Sequence, residues 1–267
     1  MRIKVQLARL SAACMLLLCA AACFAQQDPA GTPQANPGRP TVSTPATLTP
    51  IGYVQFETGV LGAWDSPEFK SQASVNEVVK FSVSKRVELL AGFGPLVHTL
   101  GGVPTNGTGD LLLGMQGVVH QGEGARPTIA VGYFRQMHDG GTPSLDIGSF
   151  RNSALLLLSA DIKGFHYDTN YLFNEVLNGE VRRLQVGQTL SVSHGLPGKF
   201  GVSAEIWHFT QPFLRGRAAG ILSALNYNAR PNLVLDTGFD RGLTATSTSW
   251  EAFAGFTYLL PHRIRWR

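Results

Sequence analysis

The chain has 267 residues, of which 44% are hydrophobic and 15% are charged. A charged fraction this far below the roughly 25% of soluble domains argues against an ordinary soluble protein, and the length suits one large all-β domain. Without the N-terminal 25 residues, Lys plus Arg falls from 22 to 19 against 18 acidic residues, a net charge of +1, so a nucleic-acid-binding surface is not expected.

Residues 1–25 have the features of a signal peptide. Basic residues up to Arg9 precede an apolar run from Leu10 to Phe24, and cleavage after Ala25 is predicted. An uncleaved membrane anchor and a lipoprotein attached at Cys23 are the alternatives. All three cysteines lie in this segment, so the mature chain is expected to have no disulfide framework.

Residues 26–50 are rich in Pro, Thr, Ala and Gln and contain few large apolar side chains. A segment with this composition cannot bury a core of its own. The sequence therefore predicts a flexible N-terminal segment ahead of the folded domain.

From residue 51 onward, apolar residues alternate with small or polar ones. The clearest case is the hairpin over Arg182–Phe209, in which Leu190 and Val192 alternate with Thr189 and Ser191. Period two predicts β-strands, because successive side chains leave opposite faces. Twelve strands are predicted, beginning near residues 51, 75, 87, 110, 128, 152, 165, 182, 200, 218, 233 and 250.

The predicted strands are about ten residues long, which is what a tilted strand needs to cross a bilayer. Long predicted connections, over Leu61–Ser74, Val97–Thr108 and His138–Arg151, alternate with short ones. Outer-membrane barrels show this alternation, with short periplasmic turns and longer extracellular loops. The predicted fold is all-β: a transmembrane antiparallel up-and-down β-barrel of about 12 strands over residues 51–260, followed by a tail over 261–267.

In such a barrel the apolar parity faces lipid and the small, polar parity faces the lumen. Aromatic residues near strand ends are candidates for interfacial girdles, the alternative being the core of a soluble barrel or sandwich. These aromatic residues are Tyr133, Trp207, Phe209, Tyr227, Phe239, Trp250, Phe256 and Tyr258.

Three short motifs carry a family resemblance. Gly107–Asp110 opens an alternating strand, and Leu235–Leu243 is followed by Ala254–Tyr258. Over residues 51–260 the chain resembles the transporter-like outer-membrane β-barrel family of meta-pathway phenol-degradation proteins. The resemblance implies an exported barrel with a role in the metabolism of aromatic compounds. Such barrels commonly end on an aromatic residue that the assembly machinery recognises, whereas this chain continues past the last strand to Arg267. Trp266, or Phe256 together with Tyr258, is the candidate assembly signal.

The residues of the small, polar parity include many acids, which predicts an acidic lumen wall. Because charged rings in a pore select by sign, we hypothesise a lumen that disfavours anions and passes cations or neutral solutes. Pairing of these acids with arginines in the connections, or their solvation, is the alternative. The long loops or residues 26–50 are candidates to plug the passage. The lumen-lining candidates are Glu57, Lys80, Glu88, Asp110, Gln116, Asp161, His166, Asp168, Asn170, Glu205, Asp236, Asp240 and Glu251.

Catalytic motifs are weak. Ser191 and Ser193 neighbour His194, but adjacent strand residues point to opposite faces, and no Gly-x-Ser-x-Gly elbow is present. His166 and Asp168 share a face, which is more typical of a polar lumen pair. No metal-ligand spacing, phosphate loop or dinucleotide fingerprint occurs, so no cofactor is predicted.

The predicted function is a passive channel or uptake barrel for small solutes, with aromatic or hydrophobic compounds as candidates. The alternatives are a structural or envelope-interaction barrel without a passage and a membrane-embedded lipid hydrolase. The expected location is the outer membrane of a Gram-negative envelope. The expected partners are outer-membrane lipids, an unidentified small solute and the assembly machinery, without nucleic acid.

Overall fold

The computed structural model describes residues 33–101, 105–142, 145, 150–214 and 216–264. The predicted signal peptide, residues 26–32 and Trp266 lie outside this part of the chain. No helix in the described residues is long and apolar enough to cross a membrane.

Strands make up almost all of the regular structure, as the alternating sequence predicts. Every strand pairing is antiparallel, and all strands except the short β4 run for ten to fifteen residues. Within the described residues the strands are β1 (Val54–Trp64), β2 (Ser71–Ser82), β3 (Val87–Leu100), β4 (Thr105–Gly107), β5 (Leu111–His120), β6 (Thr128–His138), β7 (Phe150–Ile162), β8 (Phe165–Asn178), β9 (Val181–Gly195), β10 (Phe200–Gln211), β11 (Gly216–Arg230), β12 (Leu233–Gly242) and β13 (Trp250–Leu259).

The strands close into a barrel. β1 pairs with both β2 and β13, β2 pairs with β3, β3 pairs with β5, and each later strand pairs with the next. The short β4 pairs only with the end of β3, across Val97–Thr99, and does not interrupt the circle. In the described part of the chain, closure gives each of the twelve long strands a partner on both sides. The fold is therefore a closed antiparallel barrel of twelve strands, which confirms the predicted fold class.

The strands are longer, and several connections shorter, than predicted. Pairing between β1 and β2 continues to Trp64 and Ser71, so residues 65–70 form the connection that was expected over Leu61–Ser74. We call the end with connections 83–86, 121–127, 163–164, 196–199 and 231–232 the turn end. The opposite end, which carries the two longest connections, 101–110 and 139–149, is the loop end.

Burial alternates along each strand with the predicted parity. On β10 the side chains of Glu205 and Phe209 are buried inside, whereas Val202 and Ile206 are 38% and 58% exposed on the outer face. Buried polar residues inside and exposed apolar residues outside invert the pattern of a soluble barrel. A broad exposed apolar surface of this kind is what a bilayer, rather than water, accommodates.

Candidate functional site in the barrel lumen

Residues 33–50, which we call the luminal segment, lie inside the barrel at the turn end. The amide of Ala35 donates to the carbonyl of Pro231 in a turn-end connection, and Thr49 contacts the start of β3. The Asn36 side chain donates to the carbonyl of Thr47 (2.9 Å), which holds the two ends of the segment together. The segment is thus a compact loop with neighbouring ends, similar to an Ω-loop.

This placement differs from the predicted flexible segment. The backbone and side chains of residues 33–50 find polar partners on the barrel wall. Those partners come from nine strands distributed around the circumference. Sequence composition cannot reveal such a preformed polar surface, because its residues are distant in the chain.

Glu205 on β10 makes the densest set of contacts with the luminal segment. Its carboxylate accepts hydrogen bonds from the amides of Val42 (2.7 Å) and Ser43 (2.7 Å) and from the Ser43 hydroxyl (2.6 Å). The Ser43 hydroxyl also lies 2.7 Å from Thr189 Oγ1 on β9. Because one carboxylate accepts three hydrogen bonds from two adjacent residues, Glu205 is the main anchor of this part of the segment.

Amide and carboxylate side chains on β8, β5 and β3 continue the contacts. Asn170 accepts from the Thr44 amide (2.6 Å) and donates to the Thr44 carbonyl (2.9 Å), a pairing that mimics a β-ladder. Gln116 donates to the carbonyl of Pro45 (2.9 Å). Glu88 accepts from the Thr49 amide (2.8 Å), close to where the segment enters β1.

β1 and β2 hold the first residues of the segment. Gln55 accepts from the Asn36 amide (2.8 Å) and donates to its carbonyl (2.7 Å). Glu57 accepts from the Gly38 amide (3.0 Å) and forms an ion pair with Lys80 (2.5 Å). Both charges of this pair are buried, and each is compensated within the wall and the segment.

Arg39 supplies the only ion pair between the segment and the wall among the described residues. Its Nη2 lies 3.0 Å from Asp236 Oδ1, and its Nε lies 3.3 Å from Oδ2. The guanidinium lies over Gly59 and Gly255, where an added Cβ would approach it to within 2.4 and 2.8 Å. Two glycines and one carboxylate therefore form a flat, acidic seat for a planar cation.

The remaining predicted residues occupy different environments. Asp168 is buried and pairs with His166 (3.3 Å), which also contacts Asp161 (2.7 Å). Asp240 is buried and accepts a hydrogen bond from the Trp207 indole (2.6 Å), whereas Glu251 is half-buried on the same inner face.

Two predicted lumen residues lie off the lumen wall. Asp161 is at the turn-end rim, with its side chain 69% exposed. Asp110 lies in the connection before β5, where it accepts a hydrogen bond from the Gly140 amide (3.1 Å). Both positions are at strand ends, where alternation no longer determines the direction of a side chain.

The lumen also contains an apolar cluster that was not predicted. It extends from mid-barrel, where Leu157 is in register with Asn170, toward the loop end at Phe209 and Ala218. Its side chains project inward from neighbouring strands, and the rings of Trp207 and Phe209 lie 6.0 Å apart. Ala46 of the luminal segment packs against the same cluster. The run of four leucines on β7 was a usable signal, because two of them must point inward in any strand. The buried wall members of the cluster are Ala130, Leu155, Leu157, Leu172, Trp207, Phe209 and Ala218.

Trp207 and Phe209 were instead assigned to the interfacial girdle. Their side chains are buried in the lumen, so this assignment is wrong. Glycines on the neighbouring strands make room for the two rings: an added Cβ on Gly220 or Gly187 would lie 2.3 Å from a ring atom. Tyr133, Tyr227, Phe239 and Trp250 remain on the outer face.

Ser191 and His194 point in opposite directions, as predicted. Ser191 is buried in the lumen, whereas the His194 ring is exposed and pairs with the Gly164 carbonyl in a turn-end connection (2.9 Å). A nucleophile and its base must be within hydrogen-bonding reach, and this geometry keeps them apart.

Fold and lumen together define the class as a porin-like barrel: twelve antiparallel strands, a polar interior and an apolar exterior. Solved structures of this class are similar to the chain. An outer membrane channel from Pseudomonas putida F1 is 14% identical with a TM-score of 0.57, over 85% of this chain and 100% of that one. The NanC porin is 11% identical with a TM-score of 0.53, over 76% and 99%. The KdgM porin, solved with a disordered oligogalacturonate, is 10% identical with a TM-score of 0.52, over 77% and 98%.

The sequence comparisons are negative. The chain matches no protein-family model, and no curated protein matches it. At identities below 15% the structural likeness establishes the fold. The function has to be argued from the lumen itself.

Proposed function

We propose that the protein is an outer-membrane channel for small solutes, with the luminal segment as a displaceable plug. The exposed apolar outer face and the strand lengths support a place in the bilayer. The barrel fold shared with an outer membrane channel and two porins supports a passage through the lumen.

One observation carries the channel proposal. The luminal segment lies in the turn-end part of the lumen and is held there mainly by hydrogen bonds and one ion pair, with Ala46 packed against the apolar cluster. A barrel that needed a permanent core would gain more from apolar packing, because buried polar contacts add little net stability. A polar wall behind a non-covalently held segment is instead suited to exchange between the segment and a hydrated solute.

The chemistry of the wall suggests which solutes pass. Removal of the segment uncovers the carboxylates of Glu57, Glu88, Glu205 and Asp236, which would attract cations, admit neutral solutes and repel anions. The apolar cluster at the loop end gives small aromatic or hydrophobic solutes a contact surface. The sequence resemblance to phenol-degradation barrels points to the same class.

The proposed orientation follows from the connections. The loop end, with the two longest connections, faces the exterior, and the turn end, where the luminal segment enters, faces the periplasm. Export through the signal peptide over residues 1–25 and assembly through Phe256 and Tyr258 of the last strand belong to this proposal. Outer-membrane lipids then contact the exposed apolar side chains.

Planar-bilayer recording and liposome swelling test the channel. Wild-type protein should conduct intermittently, and Glu205→Ala, which loses the main anchor, should be open for a larger fraction of the time. Proteoliposomes should swell faster in small aromatic solutes than in sugars of similar size. Strong anion selectivity in the open variant would contradict the acidic lumen, and sugar permeation equal to that of aromatics would contradict the solute class.

A structural barrel without a passage is the second candidate. The observation in its favour is that the luminal segment and the apolar cluster occupy both halves of the lumen. If neither wild-type protein nor Glu205→Ala conducts, although both migrate as folded barrels on an unheated detergent gel, the channel proposal fails and this candidate replaces it.

A further inference from the structure

The site around Arg39 has further features besides the ion pair with Asp236. Asn226, Asp236, Gly255 and Gly59 lie in register on β11, β12, β13 and β1, so they form one transverse row on the inner wall. Arg39 lies across this row with its Nε and Nη2 directed at the two oxygens of Asp236. Such two-point contact is specific for a planar guanidinium.

The glycines are what make the seat fit a flat cation. A side chain at Gly59 or Gly255 would occupy the space of the guanidinium. The bare backbone therefore provides a floor, and the carboxylate of Asp236 provides one edge. The side chain of Asp236 is only 2% exposed, so its charge depends on whatever cation occupies the seat.

Two further acceptors around the seat are unused. Asn226 Oδ1 and Thr257 Oγ1 are buried without a hydrogen-bond partner in the described part of the chain. Asn226 is opposite Asp236, and Thr257 is opposite Glu57, one row toward the turn end. A buried acceptor without a donor is unfavourable, and a ligand with several N–H groups would relieve it.

From this geometry we infer that the row of Asn226, Asp236, Gly255 and Gly59 is a binding subsite for guanidinium-bearing or related organic cations. Arg39 is its intramolecular occupant when the luminal segment is in place. A solute cation takes the seat when the segment leaves. This inference rests on the proposed channel function and adds organic cations to the neutral aromatic and hydrophobic solutes proposed for it.

Competition between Arg39 and the solute couples binding to opening. A cation that binds only the state with an empty seat shifts the population toward that state, to the extent of its affinity. Without a replacement cation, departure of Arg39 leaves the buried carboxylate of Asp236 uncompensated. The subsite therefore makes opening easier in the presence of the solutes that it recognises.

The test uses Arg39→Ala, which empties the seat, and two probes of nearly the same shape. Arginine amide carries a guanidinium, whereas citrulline amide carries a neutral urea group in its place. Arginine amide should block the Arg39→Ala channel saturably, at a concentration about tenfold or more below that of citrulline amide, since hydrogen bonds to charged groups exceed neutral ones. Arg39→Ala/Asp236→Asn should lose this preference.

A second measurement does not depend on conduction. Arginine amide should raise the temperature of the heat-induced mobility shift of Arg39→Ala on a detergent gel, and should not raise that of Arg39→Ala/Asp236→Asn. Equal effects of the two amides in both assays, or a preference that survives Asp236→Asn, would overturn the subsite. A thermal shift without any conductance would support the subsite and refute the channel. Conductance without a preference between the two amides would support the channel and refute the subsite.

Discussion

The two halves of the lumen are filled in different ways. Toward the loop end, large apolar side chains such as Leu172 and Phe209 project from the wall and pack in the apolar cluster. At the turn end, the wall carries carboxylates, amides and hydroxyls, and the space between them is occupied by residues 33–50. One half is filled by its own wall and the other by a separate segment of the chain.

This difference has an energetic consequence. Apolar packing is close to optimal only in one arrangement, and removal of atoms leaves a cavity, so the loop-end cluster stabilises the barrel itself. The polar contacts at the turn end exchange with water at a small net cost per bond. We therefore expect changes at the loop end to alter barrel stability and changes at the turn end to alter occupancy of the lumen.

The largest effect is expected from Phe209→Ala. The ring is 1% exposed and packs in the loop-end cluster, so its removal should lower the free energy of unfolding by about 3–5 kcal/mol. The temperature of the heat-induced mobility shift on a detergent gel measures this loss. An unchanged shift temperature would mean that the cluster does not stabilise the barrel.

Glu205→Ala should have the next largest effect, which is on binding of the luminal segment at the turn end. The variant leaves the buried amides of Val42 and Ser43 without their acceptor, which should weaken binding of the luminal segment by about 3 kcal/mol. The readout is the rate at which a cysteine introduced at Ser43 reacts with a water-soluble maleimide. Ser203→Ala is the matched control, since it lies inward on the same strand and has no hydrogen bond to the segment. Equal labelling rates in the two variants would contradict the role of Glu205.

A lysine placed on either face of β10 tests which face of the strand meets lipid and which faces the lumen. Val202→Lys puts a charge on the lipid face, away from mid-strand, and should cost about 2 kcal/mol. Ser203→Lys points into the lumen, on the face of Glu205, and should cost less. Unfolding in urea with lipid vesicles measures both. Equal costs would reject the assignment of the faces.

Gly59→Ala should have the smallest effect, about 1 kcal/mol on binding of the luminal segment. The added Cβ would approach the Arg39 guanidinium to 2.4 Å, so this flexible group must move away from Asp236. The maleimide reaction at position 43 should accelerate modestly. Gly92→Ala is the control, because a Cβ there meets only the Leu112 Cβ at 4.0 Å. Identical labelling rates for Gly59→Ala and Gly92→Ala would argue against the seat.

Alternation along the sequence was sufficient to predict the strands, the closed barrel and most wall residues. Glu57, Glu88, Glu205 and Asp236 all point inward as their parity predicts. Asp110 and Asp161 differ because they lie at or beyond strand ends, where pairing no longer fixes the side-chain direction. The strand ends themselves were less predictable, since pairing extends into residues without clear alternation.

The contents of the lumen were harder to predict. Residues 26–50 were one of two candidates for a plug, but the contacts of residues 33–50 were not predicted. The segment has no periodicity, and its partners on the wall become neighbours only when the barrel closes. The inward-facing Leu157 and Phe209 break the rule that the inner face is polar, so the alternating pattern alone assigns them poorly. Both failures concern contacts across the lumen, which depend on the closed barrel rather than on local sequence.

A reversible disulfide between the luminal segment and the wall tests most directly whether solutes pass only when the segment leaves the lumen. Ser43 Oγ and Thr189 Oγ1 lie 2.7 Å apart, so Ser43→Cys/Thr189→Cys should form a disulfide between segment and wall. Its single-cysteine parent, Ser43→Cys, is the control. The oxidised double variant should not conduct in planar bilayers, and a reductant should restore its conductance to that of the control. Full conductance with the disulfide intact would contradict the claim that solutes pass only when the segment leaves the lumen.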